Sequence, residues 1–220
     1  MNPAAQPKNR QKRQQYFAQF DSAFFNAGAY EHYLAEQQEE ARTTLVPLLI
    51  EHMKPEPHWR FLDIGCAMGG VVLSLRERGF DAIGTEISPY CLEHAPAKEW
   101  MLFGDVLELP FEDKSFDAAL WMDAFYYLTY EELPIAMREI LRVTRTFVFC
   151  EGFDKTSRNN SQEYNPDPLR TDVAGRFTAD EFTTFFCAQG ATCVARDIFP
   201  WKDFFDCLLK VTPPSPPHTR

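Results

Sequence analysis

From residue 60 onward, short apolar runs alternate with amphipathic stretches, and few chain arrangements satisfy that order. Arg60–Gly65 reads as a strand, Val71–Arg78 as a helix closed by Gly79, and Asp81–Glu86 as a second strand. Ser88-Pro89 then supplies a helix N-cap followed by proline at the first helical position. Trp100–Phe103 and Phe116–Met122 read as the third and fourth strands, and Thr129-Tyr130-Glu131-Glu132 fits a capping box opening a helix to about Val143. Thr146–Glu151 is apolar almost throughout, as a fifth strand buried on both faces should be. Such alternation specifies a parallel sheet with helices on both faces and ligands bound beyond the carboxyl ends of its strands.

The ends of the chain depart from this pattern. A second capping box, Thr178-Ala179-Asp180-Glu181, opens a helix carrying Phe182, Phe185 and Phe186 on one face and closed by Gly190. Ala191–Asp197 and Phe204–Val211 follow with no room for a crossover helix, so they are expected to pair antiparallel. The expected fold is α/β: a seven-stranded, mostly parallel sheet with an antiparallel terminal strand, helices on both faces and extra N-terminal helices. Residues 16–58 form the N-terminal helical segment, a possible lid, interrupted near Gly28 and ended by Pro55 and Pro57. Residues 59–211 form the core. The polar ends, 1–15 and the proline-rich 212–220, read as disordered tails, and 152–176 as a long loop.

Charge and composition narrow the function. The net charge is −10, and four basic residues with no acid among the first fifteen leave −14 for the remainder. So acidic a body repels phosphate backbones and argues against nucleic acid as a partner. No apolar stretch approaches the roughly 18 residues needed to span a bilayer, so no membrane partner is expected, and no secretory signal opens the chain. A cytoplasmic location with reduced cysteines follows. The six cysteines and five histidines fall in no metal-ligand spacing, so no metal site is expected.

The chemistry concentrates where the strands end. In Phe61-Leu62-Asp63-Ile64-Gly65-Cys66-Ala67-Met68-Gly69-Gly70 an apolar strand meets a loop of small residues that turns into a helix, which lets the backbone approach a ligand closely. Glu86 closes the second strand, where an acid can accept both hydrogen bonds of a ribose diol. Asp105, in Phe103-Gly104-Asp105-Val106, follows the third, placed to accept from an exocyclic amine. Asp123 follows the fourth strand and Glu151 ends the fifth, and both are candidate general bases.

These motifs resemble the class I S-adenosylmethionine-dependent methyltransferases, in their small-molecule, type 11-like branch. Asp63-Ile64-Gly65-Cys66-Ala67-Met68-Gly69 is similar to the family's glycine-rich first motif, with Ala67 in place of the middle glycine. Glu86 matches its ribose-binding acid and Asp105-Val106 its adenine side. The resemblance implies a Rossmann-like sheet and S-adenosyl-L-methionine as cofactor, held by Asp63, Gly65, Cys66, Ala67, Gly69, Glu86, Ile87, Asp105, Val106 and Met122. It further implies methyl transfer to a small organic acceptor, apolar or aromatic given the rings crowding residues 16–33 and Tyr126-Tyr127. The alternative is a non-catalytic S-adenosylmethionine-binding partner or regulator. A nicotinamide oxidoreductase fits less well, because Asp63 would stand beside a pyrophosphate with no basic residue in the loop.

Overall fold

The computed structural model describes residues 13–25, 33–155, 177–201 and 204–212. Seven strands form one sheet: β1 (Arg60–Ile64), β2 (Asp81–Glu86), β3 (Met101–Phe103), β4 (Phe116–Met122), β5 (Thr144–Phe153), β6 (Ala191–Arg196) and β7 (Phe204–Val211). Their order is β3-β2-β1-β4-β5-β7-β6. The first five pair parallel, while β7 inserts antiparallel between β5 and β6. The chain reverses direction between β1 and β4, so the crevice above those two strands is where a ligand fits.

Side-chain alternation builds a core on each face. Leu62, Ala119, Trp121, Val148 and Cys207 point to one side, against α5 (Leu133–Val143) and α6 (Ala179–Ala188). Phe61, Ala118, Leu120, Phe149 and Leu208 point to the other. That face is covered by α3 (Gly70–Glu77) and by a long N-terminal helix, α1 (Tyr33–Glu40) leading through a π-helical turn at Ala41–Leu45 into α2 (Val46–Met53). Pro47 accounts for the π turn: it has no N–H to offer the preceding turn, and Val46 N–H bonds back to Ala41 C=O instead. Gly70 lets α3 approach α1 closely, since a Cβ there would stand 3.1 Å from the Gln37 carbonyl oxygen. A short helix, α4 (Pro89–His94), is capped by Ser88, whose Oγ accepts from Cys91 N–H.

Several elements differ in extent from their sequence pattern. The helix expected from Thr129 begins at Leu133, because Pro134 occupies its first turn; the Glu132 carboxylate nevertheless reaches back to Thr129 N–H at 2.8 Å. The strand expected to stop at Glu151 continues to Phe153, since β7 pairs with it to the end. Residues 13–15, expected in a tail, belong to a helical turn at 13–17, which a second turn, Ser22–Phe25, follows. Gly28, most of the 152–176 loop and nearly all of the C-terminal tail lie outside the described residues. No helix of the described residues is long and apolar enough to cross a membrane.

Candidate active site

A cavity of about 270 Å³ opens at the carboxyl ends of β1 to β4. Its floor comes from Ile64, Gly65 and Ala67 after β1, Glu86 and Ile87 after β2, and Gly104, Asp105 and Val106 after β3. Met122, Asp123 and Ala124 close the side beyond β4.

The loop after β1 is folded around one carboxylate. Glu86 Oε2 accepts from Ala67 N–H at 2.8 Å, and Oε1 accepts from Ile87 and Ser88 N–H at 2.7 and 2.9 Å. Burial raises the Glu86 pKa, and these three N–H groups oppose the rise. A carboxylate has roughly four lone-pair positions, so Oε2 retains one acceptor position toward the cavity. A ribose diol thus meets one open acceptor position in this geometry, rather than the two expected.

Ala67 explains how the loop tolerates the loss of a glycine. It adopts φ +46, in the left-handed region, within a turn closed by Gly69 N–H to Cys66 C=O at 2.8 Å. The strain is local and small, and the backbone still faces the cavity.

Three of the residues assigned to the cofactor do not line the cavity. Asp63 sits within β1, flanked in register by Gly84 and Leu120, and is 4% exposed. Burial, and then the charge of Glu86, push its pKa up to about 7. The Cys66 side chain packs down onto β2, into space a Cβ at Gly84 would fill, and burial raises its thiol pKa well above the ordinary range. Gly69 takes φ +75 ahead of α3, behind the loop. All three shape the loop from behind. Of the three carboxylates expected to converge on one ligand, Glu86 and Asp105 line the cavity and Asp63 is buried in the sheet.

The two candidate bases also part. Asp123 lines the cavity in a left-handed conformation, φ +50, and its N–H donates to Glu151 C=O at 3.0 Å. Glu151 does not line it. Glu151 stands opposite Asp206 of β7, where burial and then the charges of Asp123, Asp206 and Glu40 raise its pKa well above the carboxylate range. Between these acids, the Tyr126 hydroxyl accepts from Phe153 N–H, and burial drives its own pKa upward.

The remaining wall is largely aromatic, and most of it carried no sequence signal beyond ring content. Tyr16, Phe17, Phe20, Phe24 and Phe25 line the cavity together with Trp121, Tyr127, Leu128 and Phe153, and Phe20 meets Tyr127 edge-on. Trp121 brings an indole N–H that has no hydrogen-bond partner among the described residues. Arg13 is the one cation among the described lining residues, and it is held by Asp105 and Glu132. His32 lies outside the described residues.

Residues 62–147 match the family model of the methyltransferase domain. The chain is 36% identical over 100 residues to malonyl-(acyl-carrier protein) O-methyltransferase of Erwinia pyrifoliae, covering 44% of this chain and 37% of that one. Over these residues the chain is similar to S-adenosylmethionine-dependent methyltransferases. Sterol 4-C-methyltransferase strm-1 of Caenorhabditis elegans is 29% identical to this chain over 146 residues, covering 62% of this chain and 43% of that one. The chain spans less than half the length of these curated relatives. Its fold matches the magnesium protoporphyrin IX methyltransferase of Synechocystis, solved with bound SAH, at a TM-score of 0.67 over 92% of this chain and 100% of that one, with 12% identity. The PH0226 protein of Pyrococcus horikoshii matches at 0.64 over 91% and 99%, with 21% identity. S-Adenosylmethionine is the cofactor of such a methyltransferase, and the site fits it. The cavity offers acceptors and apolar surface to an uncharged adenosine, and its lone guanidinium is already neutralised, as a pyrophosphate would not favour.

Proposed function

We propose that this chain transfers the methyl group of S-adenosylmethionine to a small organic acceptor, apolar or aromatic, bound at the ring-lined side of the cavity. One observation carries the reading: Glu86 and Asp105, after adjacent strands, line a single cavity whose other lining residues are largely aromatic. In this reading the open acceptor position of Glu86 takes a ribose hydroxyl and Asp105 takes the adenine amino group. Ile87 and Val106 flank the base, and the backbone of Gly65 and Ala67 lies along the remainder of the cofactor.

Bound S-adenosylmethionine supplies a methyl carbon activated by its sulfonium sulfur. The protein's share is alignment and exclusion of water, which supplies on the order of 7–11 kcal/mol in favourable cases. In this reading Phe20, Phe24 and Tyr127, which line the cavity, exclude water from it. Asp123 is positioned to accept a proton from an acceptor that must lose one.

Incubation with methyl-labelled cofactor and a panel of phenols, amines and apolar acids tests this. Transfer to a ring-bearing or apolar acceptor is expected, with Asp123→Ala lowering kcat by about 10²–10⁴-fold while cofactor affinity stays within twofold or so. Cofactor binding without transfer to any acceptor class would refute the catalytic reading, and unchanged turnover in Asp123→Ala would remove Asp123 as the base.

A further inference from the structure

The segment 13–25 touches the loops that follow three consecutive strands. After β3, Arg13 grips Asp105 with a fork of two bonds, Nε to Oδ2 at 2.6 Å and Nη2 to Oδ1 at 2.8 Å. Its third nitrogen, Nη1, donates to Glu132 Oε1 at 2.5 Å. After β2, Ser88 Oγ donates to the Phe20 carbonyl at 2.5 Å, directly behind the loop that Glu86 organises. After β4, the Phe20 ring meets Tyr127 edge-on, with centroids 5.0 Å apart. The Arg13 guanidinium also lies over the Phe17 ring, which packs against Phe103.

The fork takes two of the roughly four acceptor positions of Asp105 and Leu107 N–H a third, leaving one on Oδ2. Oδ1 already receives Leu107 N–H at 3.1 Å as well as Arg13 Nη2, so both of its lone pairs are engaged. Oδ2 holds Arg13 Nε. The Arg13 and Asp105 side chains are 20% and 18% exposed, so this bidentate pair is partly shielded from water and stronger than an open surface pair.

We propose that Arg13 is a latch competing with the nucleoside for Asp105. Segment 13–25 rests across the site with Arg13 on Asp105. Cofactor entry displaces the guanidinium from that carboxylate while its other arm stays on Glu132. This rests on the reading of the cavity as an adenosyl site, and it makes the ion pair a gate on cofactor entry, regulated by ionic strength.

The test is rapid-mixing and calorimetric binding of S-adenosylhomocysteine, which carries no net charge and so isolates the latch from long-range steering. Arg13→Ala is expected to bind about three- to tenfold more tightly and with a faster association rate. Raising the ionic strength should speed association to the native protein toward the Arg13→Ala rate, and leave the variant unmoved, because salt screens the pair. Glu132→Gln, which loosens the second arm and keeps an oxygen for Thr129 N–H, should shift affinity in the same direction by less, and it carries the test if Arg13→Ala fails to fold. Equal or weaker binding by the folded variants, or a native association rate indifferent to salt, would overturn the latch and leave Arg13 a support for Asp105. If folded native protein and both variants bind no S-adenosylhomocysteine at all, the adenosyl reading itself fails, and the latch with it.

Discussion

Glu151 and Asp206 stand directly opposite each other on β5 and β7, two buried carboxylates in one cross-strand pair. Asp206 is satisfied by the backbone, accepting from Ile198 and Phe199 N–H at 2.9 Å each. Both pKa values are raised by burial, and at Asp206 those two N–H groups oppose the rise. The folded pKa of Glu151 is raised, chiefly by burial, so the native state binds more protons than the unfolded chain above the ordinary glutamate range near 4.3. Stability is lost as pH rises through that window.

Glu151→Gln, which mimics the neutral acid, is expected to match native stability near pH 4 and exceed it increasingly as pH rises, by about 1–3 kcal/mol at the alkaline end. Urea melts across pH check it. Turnover should survive the substitution, and a collapse in kcat with cofactor affinity intact would return Glu151 to the chemistry.

Ala67 occupies a left-handed turn position that glycine fills without steric cost. Removing its Cβ relieves roughly 1–2 kcal/mol of local strain but adds about 0.5–1 kcal/mol of backbone entropy to the unfolded state. Ala67→Gly is thus expected to be neutral to stabilising by about 1 kcal/mol in thermal melts, with cofactor affinity preserved. A clear loss of stability would mean that the methyl group makes contacts outweighing the strain.

Asp63 offers a second pH signature. Its folded pKa, about 7, lies above that of an unfolded aspartate, so the fold loses stability as pH climbs from roughly 4 to 7 and the penalty is constant beyond. Asp63→Asn should gain on the native protein across that interval, by at most about 4 kcal/mol, and run parallel to it above. A stability difference independent of pH would contradict the assignment.

The sheet was legible because each strand carries its own punctuation. Glu86 and Gly104 end strands at the crevice, and the short link before Phe204 forces β7 antiparallel. The cavity lining was legible where a residue's place follows from its strand end, as with Glu86, Asp105 and Asp123. Pattern could not separate Asp63 from them, since one residue's difference in depth along β1 decides between cavity and core. Nor could it place Glu151, whose direction depends on a register with β7 more than fifty positions away in the chain. Arg13 gave no local signal: in a basic, polar opening stretch it looks solvated, and only the folded chain brings it 92 positions forward to Asp105.

The central claim is that Glu86 and Asp105 hold one adenosyl ligand. Calorimetric titration of S-adenosylhomocysteine into native protein and Glu86→Ala, both verified as folded, tests it most directly. One saturable site is expected in the native protein, with affinity falling about tenfold or more in Glu86→Ala. Absence of binding to well-folded native protein, or equal affinity in the two, would contradict it.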